Sequence, residues 1–260
     1  QIAQRGRRTF VNQFRVLLIV AVFAALHGFL QGLNHVRVVG VVFAAVDVFQ
    51  QAALAADFFA RGAAKAPISR KGFQNRAEHG LTHLYCSLME RAVQTGTVIS
   101  QRLGIPLFGV PDLHEVGGIY YEEVVDGVSS IRIEHGLTPE YLRQHYPNLT
   151  LLEPIPAEGW WPGGREERAA RIPRALRMLD LLFSRHGNTE DRVGVITHGG
   201  FFACFFRAIF NLDLDEPNQH RLGYQIELNN CGVTRFSIQE TRYLFVYHNR
   251  TDFLPDDLVT

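Results

Sequence analysis

The sequence predicts an α/β fold, a three-layer α/β/α sandwich with a mostly parallel central sheet. After residue 50, short apolar runs suited to buried strands alternate with segments whose apolar residues recur three and four apart, as in amphipathic helices. This alternation is typical of a parallel sheet covered by helices on both faces. The chain has 260 residues, 47% of them apolar, which is enough for a large core.

Each element is predicted from its own pattern. Gln50–Arg61 is rich in alanine and leucine with helical spacing, and residues 62–80 read as a loop. Residues 116–165 form a long connection rich in glycine, proline and aromatic residues, and connections of this length are often functional lids. The other predicted elements are a strand at Leu81–Ser87, a helix at Met89–Leu103 ended by Gly104 and Pro106, a strand-like segment at Ile105–Leu113, a helix at Glu166–Arg185 with a stripe of Ala169, Ile172, Leu176, Leu179 and Phe183, a strand at Arg192–Thr197, a helix at Gly200–Phe210, and strands at 224–238 and 242–248.

Charge and cysteine content exclude several classes of protein. Basic and acidic residues both number 26, so no basic excess indicates a nucleic-acid partner and no acidic excess indicates disorder. Three widely spaced cysteines, without a Cys-x-x-Cys pair, argue against a disulfide framework or a cysteine-rich zinc site. We expect a cytoplasmic protein with no stable membrane association, and the sequence leaves the oligomeric state open.

The N-terminal segment, residues 1–49, differs from the domain predicted over 50–260. The first fifty residues contain five arginines but a single acid, Asp47, and no Lys, Glu, Ser, Pro or Tyr. Three interpretations stay open. A shifted reading frame or a misassigned start explains the missing residue types. Buried strands or a buried helix explain the apolar run Val16–Leu26. A targeting segment within residues 11–30, which would allow secretion, explains the arginines before that run.

Three motifs predict a shared site. Residues 87–95 (SLMERAVQT) lie where a strand leads into a helix, residues 113–115 (LHE) follow the next strand-like segment, and residues 195–200 (VITHGG) again lead from a strand into a helix. Ligands of open α/β sheets bind beyond the carboxyl ends of the strands. Arg91, Glu115 and His198 are therefore expected to converge there.

These motifs resemble the histidine phosphatase superfamily, whose fold is phosphoglycerate mutase-like. The resemblance extends from about Gln50 to the C-terminus, and Gly159-Trp160-Trp161 and the segment 249–252 (NRTD) also resemble one bacterial branch of the family. It implies a phosphomonoester hydrolase acting on a small phosphorylated substrate through a phosphohistidine, without a metal or another cofactor. A silent homologue that binds a phosphorylated ligand, or a phosphotransferase of the mutase kind, is the alternative.

The chemistry of phosphoryl transfer assigns a role to each residue. Negative charge spreads over three oxygens in the transition state, so catalysis consists mainly of positioning and electrostatics. Arg91 offers a planar fork of donors, and His198 can donate to another oxygen. The amides of Gly199 and Gly200 at a helix start can bind an anion. Glu115 suits the general acid that protonates the departing alcohol.

The sequence departs from the family at the nucleophile. The family's attacking histidine lies in an Arg-His-Gly motif on the first strand, and no such motif precedes Ser87. The only Arg-His-Gly, Arg185-His186-Gly187, follows a helix pattern and is interpreted as a helix end. His27 is the nearest substitute, but Leu26 stands in place of the arginine. The simplest account is that the first strand and its motif are missing, so we expect low solubility and negligible turnover of para-nitrophenyl phosphate.

The remaining candidates have ordinary interpretations. His79 and His83 are four residues apart, but His83 falls in a strand pattern, so a metal shared by these two is not expected. His114 is interpreted as a surface loop residue, with a place in the pocket as the alternative. Trp160 and Trp161 either cover the substrate as a lid or pack the long loop.

Overall fold

The computed structural model describes residues 13–20, 53, 80–125, 128–187, 189–210, 226, 228–239 and 242–259. Its strands are β1 (Gln13–Val20), β2 (His83–Ser87), β3 (Leu107–Val110), β4 (Tyr120–Val125), β5 (Val128–Ile133), β6 (Leu149–Leu151), β7 (Arg192–Thr197), β8 (Gly232–Gln239) and β9 (Arg242–Arg250). Its helices are α1 (Glu90–Leu103), α2 (Pro139–His145), α3 (Arg171–His186) and α4 (Gly199–Phe210), with short 3-10 turns at Pro111–Leu113, Arg168–Ala170 and Asp256–Leu258.

The described strands form one large sheet and one hairpin. The large sheet has the order β6-β3-β2-β7-β1-β8-β9, and β4 pairs with β5 separately. The first five strands of that order are parallel, and β8 pairs antiparallel with β1 on one side and with β9 on the other. The predicted fold class, with its mostly parallel sheet, is confirmed.

Side chains of the central strands alternate between two cores, one on each face of the sheet. Leu84, Cys86 and Ile196 pack with α1 in one core. Tyr85 and Val195 pack with α3 and α4 in the other. Because both faces are covered, the strands are apolar throughout, and this explains why they read as unbroken apolar runs.

The first strand is present, contrary to the sequence expectation. Strand β1 lies at the centre of the sheet, parallel to β7 with Val20 opposite Thr197, and antiparallel to β8. The premise that Val16–Leu26 has no place in a sheet is therefore wrong for Val16–Val20. What the sequence lacks is the Arg-His-Gly motif after this strand, where Ala21 and Val22 follow.

Several predicted boundaries also need correction. The long connection at 116–165 contains the β4–β5 hairpin, α2 and β6, so it is largely folded. Helix α3 begins at Arg171, and Leu176 of its predicted apolar stripe is 45% exposed, because the buried face instead carries Ala175, Met178 and Leu182. The helix predicted over Gln50–Arg61 lies outside the described residues except for Ala53.

Most of the other elements lie close to their predicted positions, but the strand predicted over 224–238 is found at Gly232–Gln239. Strand β7 has the predicted bounds, and α1 ends at Gly104, whose φ of +64° suits a glycine. The three cysteines are buried. In the part of the chain that the structure describes, no helix combines the length and apolar character needed to cross a bilayer.

Candidate active site

The three predicted motifs meet at the carboxyl edge of the sheet. Strand β2 pairs with both β3 and β7, so the segments that follow these three strands are neighbours. The Thr197 hydroxyl, at the end of β7, donates a 2.8 Å hydrogen bond to the carbonyl of Leu113. The threonine of the Thr-His-Gly-Gly motif thus fastens the segment that carries Glu115 to the strand that carries His198.

The Glu115 carboxylate lies against the start of helix α4. Its oxygens accept hydrogen bonds from the backbone amides of Gly200 (3.2 Å) and Phe201 (3.0 Å), and one oxygen also accepts from the Val116 amide at 2.7 Å. A carboxylate at a helix N-terminus is stabilised by the partial positive charge of the unpaired amides. The Gly200 amide that we expected to bind phosphate is therefore occupied by Glu115.

This close approach explains why residue 200 is a glycine. A Cβ atom there would collide with the Val116 side chain and would lie 2.5 Å from Oε1 of Glu115. Any other side chain would push the carboxylate away from the helix start. The second glycine of the motif therefore positions Glu115.

Arg91 supplies the positive charge of the site, and the buried ring of His198 lies near it. His198 is 1% exposed, and burial, reinforced by the charge of Arg91 nearby, lowers its pKa well below the usual range. Its imidazole is therefore neutral at pH 7. Burial likewise lowers the pKa of Arg91, while the neighbouring Glu115 carboxylate acts in the opposite direction.

Both residues hold buried polar atoms that have no hydrogen-bond partner among the described residues. These atoms are Nε of Arg91 and both ring nitrogens of His198. Leaving such atoms unpaired costs about 1–3 kcal/mol each, so this place suits a polar ligand. An oxyanion can accept from Arg91 and from the one protonated nitrogen of the neutral His198 ring.

His114 is buried, so the prediction of a surface residue is wrong. It is 5% exposed, with Nδ1 lying 2.8 Å from the carbonyl of Pro111. Burial and the charge of Arg174 lower its pKa to about 4. The rings of Trp160 and Trp161 lie 5.6 and 4.7 Å from its ring centroid. Both indoles are themselves buried in the core on the α1 face, which favours the packing role over a lid.

Sequence reasoning missed an ion pair that holds the Glu115 segment in place. Arg174 of α3 is 2% exposed and binds both carboxylate oxygens of Glu166, at 2.6 and 2.9 Å. Its remaining donor, Nη1, reaches the carbonyls of Asp112 (2.7 Å) and His114 (2.9 Å). The guanidinium also lies 4.5 Å from the centroid of the Phe201 ring. Arg174 therefore holds the backbone that leads into Glu115.

Other predicted candidates lie elsewhere. His186 ends α3 before β7 begins, so it lies at the opposite, amino edge of the sheet from His198. Its interpretation as a helix end agrees with this position. His27 and His79 lie outside the described residues.

Comparison with known proteins identifies one family. The model of the histidine phosphatase superfamily (branch 1) matches residues 60–251 of the chain. None of the curated proteins compared with the chain matches it.

Solved structures give distant likenesses. A mycobacterial glucosyl-3-phosphoglycerate phosphatase with inorganic phosphate is 18% identical, with a TM-score of 0.49 over 93% of this chain and 99% of that one. A phosphoserine phosphatase from Entamoeba histolytica is 14% identical, with a TM-score of 0.49 over 93% and 100%. A putative alpha-ribazole-5'-P phosphatase from Escherichia coli is 14% identical, with a TM-score of 0.44 over 92% and 97%. The assignment of the family therefore depends on the match to the family model.

Proposed function

This chain belongs to the histidine phosphatase superfamily, and on that premise we propose that the carboxyl edge of its sheet binds and hydrolyses small phosphate monoesters. The single observation that carries this proposal is that Nε of Arg91 and the ring of His198 are buried side by side without a hydrogen-bond partner in the part of the chain that the structure describes. Arg91 is a cationic donor, His198 is a neutral one, and the Glu115 carboxylate lies near them. Such a set suits a phosphoryl group and its leaving alcohol. We expect the protein to act in the cytoplasm, without nucleic-acid or membrane partners.

Each residue has one task in the reaction. Arg91 grips two phosphoryl oxygens through its guanidinium fork, and His198 donates to a third. Glu115 has to take up a proton before the reaction begins. A nucleophilic histidine then forms a P–N bond while the ester P–O bond breaks, and protonated Glu115 gives its proton to the departing alcohol. Water attacks phosphorus, the P–N bond breaks and frees the histidine, and the Glu115 carboxylate takes a proton from that water as inorganic phosphate is released.

The identity of the nucleophile decides between hydrolysis and binding alone. The family's attacking histidine belongs directly after the first strand, and here Ala21 and Val22 follow β1. His27 is the first histidine after that strand. Because other residues stand where the family has Arg-His-Gly, the sequence also favours a second candidate function. In this alternative, the chain is a homologue that binds a phosphorylated ligand without turnover.

Orthovanadate and para-nitrophenyl phosphate separate these two functions. The intact chain is titrated with vanadate and assayed for turnover, and a neutral quench followed by mass spectrometry locates any phosphohistidine. Turnover with phosphate on His27, both lost in His27→Ala, supports the hydrolase. Vanadate binding without turnover supports the binding protein. Absence of vanadate binding would contradict the phosphate site itself.

A restored motif provides a sharper test. The substitutions Ala21→Arg, Val22→His and Phe23→Gly place Arg-His-Gly directly after β1, whose last residue lies opposite Thr197. If the phosphate site is otherwise intact, we expect vanadate-sensitive turnover to rise and the new histidine to become phosphorylated. The control replaces residue 22 with glutamine in the same background. If the chains with histidine and with glutamine at residue 22 show equal turnover, residue 22 is not the position of the nucleophile.

A further inference from the structure

The amino edge of the sheet holds a cluster of two imidazoles and a carboxylate. His83 begins β2, His186 ends α3, and Asp191 directly precedes β7. One ligand atom from each of the three lies within 4.8 Å of the other two. Nδ1 of His186 is 2.9 Å from one Asp191 oxygen, and Nδ1 of His83 is 3.7 Å from the other.

We propose that this cluster is a binding site for a divalent transition metal of the zinc class. Imidazole nitrogen suits zinc and its neighbours in the first transition row, whereas calcium and magnesium take oxygen ligands. In a tetrahedral zinc site with ligands at about 2.1 Å, the ligand atoms are roughly 3.4 Å apart. The observed separations of 2.9 and 3.7 Å run to different oxygens of Asp191, and the three ligand atoms span up to 4.8 Å. The side chains therefore have to move closer together to seat the ion.

A neighbouring hydroxyl group orients His186, since the Tyr85 hydroxyl lies 2.8 Å from Nε2, the ring nitrogen that does not face Asp191. The Thr82 hydroxyl lies 2.9 Å from Nδ1 of His83, the proposed ligand atom, and has to turn away when the ion binds. Metal-binding histidines usually donate their other ring N–H to such a partner, which fixes the ring and its tautomer. Without metal, Nδ1–H of His186 donates to Asp191. With metal bound, the proton resides on Nε2 and donates to the Tyr85 oxygen, so the imidazole stays neutral in both states.

Exposure and charge set the expected strength of binding. The side chains of His83 and Asp191 are 32% and 25% exposed, while that of His186 is 3% exposed. An ion can therefore enter from solvent and meet one buried ligand. The charge of Arg185 acts on His186 and opposes a cation, and a single carboxylate offsets it. Three protein ligands leave a fourth position for water, as in open zinc sites.

The site is separate from the proposed phosphatase site. It lies at the other edge of the sheet and uses the histidine of Arg185-His186-Gly187, which the proposed reaction does not use. His83 takes part with partners more than a hundred residues away in sequence, and the pair of His79 and His83 considered from spacing is not needed. Failure of one proposal therefore leaves the other standing.

Zinc and cobalt titrations of the intact chain test this site. After treatment with a chelator and dialysis, we expect one strong equivalent of zinc by competition with a chromophoric chelator. Cobalt(II) should give the visible absorption of a four-coordinate ion. In His83→Ala and in Asp191→Asn, zinc affinity should fall at least about tenfold, the scale on which even supporting groups act at such sites.

The control is His145→Ala, which removes an exposed histidine of α2 and should leave zinc affinity unchanged. Unchanged affinity in both cluster variants, or loss in the control alone, would overturn the proposal. Because the cobalt spectrum is measured on the unaltered chain, it decides the matter even where a variant fails to fold. Absence of four-coordinate absorption would mean that the cluster is only a hydrogen-bonded network joining α3 to the sheet.

Discussion

The two edges of the sheet each carry a histidine followed by a glycine, and the two histidines use their ring nitrogens differently. At the amino edge, His186 has the Tyr85 hydroxyl at one nitrogen and the Asp191 carboxylate at the other. At the carboxyl edge, both nitrogens of His198 are buried and find no partner among the residues that the structure describes. The His198 ring is therefore suited to bind a ligand, whereas hydrogen bonds already join His186 to its neighbours at the amino edge.

This difference shows that a short motif indicates a function only when it lies at the matching position in the fold. Arg185-His186-Gly187 has the letters of the family's nucleophile motif, but it ends a helix at the wrong edge. His198 follows a central strand, where Arg91 and Glu115 also arrive. The two histidines differ in the edge of the sheet at which they lie and in the hydrogen bonding of their ring nitrogens. Substitutions at the carboxyl edge test whether buried side chains hold this edge together and whether its charged groups bind phosphate.

The largest expected effect is the loss of the ion pair that supports the carboxyl edge. Arg174→Leu leaves Glu166, whose side chain is 5% exposed, without its main partner and frees the backbone beside Glu115. Breaking a buried pair by removing one partner costs about 3–5 kcal/mol of unfolding free energy. Urea unfolding measures this loss.

Arg177→Leu is the matched control on the same helix. Arg177 pairs with Asp112, but its side chain is 59% exposed. Exposed pairs contribute about 0–1 kcal/mol. Similar losses in the two variants would mean that burial of the Arg174 pair has no special importance for the carboxyl edge.

The next largest effect concerns the phosphate grip. Arg91→Ala removes a guanidinium whose buried Nε awaits a partner, so affinity for vanadate or inorganic phosphate should fall by a factor of about 100–1,000. Arg91→Lys should restore little, because a point charge does not reproduce the fork. Arg102→Ala, an exposed arginine of α1, is the control. Isothermal titration with vanadate measures the affinity of all three variants. Unchanged affinity in Arg91→Ala would show that Arg91 does not belong to the site.

The role of Glu115 can be tested through the leaving group. As general acid, it matters most for alkyl and sugar phosphates, whose alcohols leave poorly without a proton. Glu115→Gln in a catalytically active form of the chain should slow an alkyl phosphate about tenfold more than an aryl phosphate. An equal loss on both would assign Glu115 to holding the start of α4, where its carboxylate accepts the Gly200 and Phe201 amides.

The sequence predicted the sheet and the meeting of the three motifs because both depend on local signals. Apolar runs identify strands that are buried on both faces, and parallel strands bring their carboxyl ends together. Arg174 was missed because its partner Glu166 and the carbonyls it binds follow no local rule. One signal was available: Arg174 lies next to Ala175 and one turn before Met178, on the buried face of α3.

Two other errors have a physical origin in distant contacts. His114 read as a surface residue, since nothing nearby in sequence reveals that Trp160 and Trp161 cover it. The sequence predicts that the first strand is missing because the Arg-His-Gly motif expected with that strand does not occur there. The backbone pairing of Gln13–Val20 with β7 and β8 does not depend on that motif.

The smallest effect is a dependence of stability on pH that both edges share. Burial lowers the pKa of His114 to about 4, and it also lowers the pKa of His198 and of His186. In the unfolded chain these imidazoles titrate near about 6.5. Above that pH they are neutral in both states and contribute no dependence. As the pH falls below about 6.5, the unfolded chain binds more protons than the folded one, so stability declines by up to about 1.4 kcal/mol per pH unit for each histidine.

His114→Gln removes one of the titrating imidazoles. The decline in stability between pH 6.5 and 4, measured by urea unfolding at a series of pH values, should then be less steep by up to about 1.4 kcal/mol per pH unit. His145→Gln, at an exposed position of α2, should leave the slope unchanged. An identical slope in His114→Gln and the unaltered chain would show that His114 can take up a proton in the folded protein as easily as in the unfolded one, and the carboxyl edge would then be less sealed from water than its buried side chains indicate.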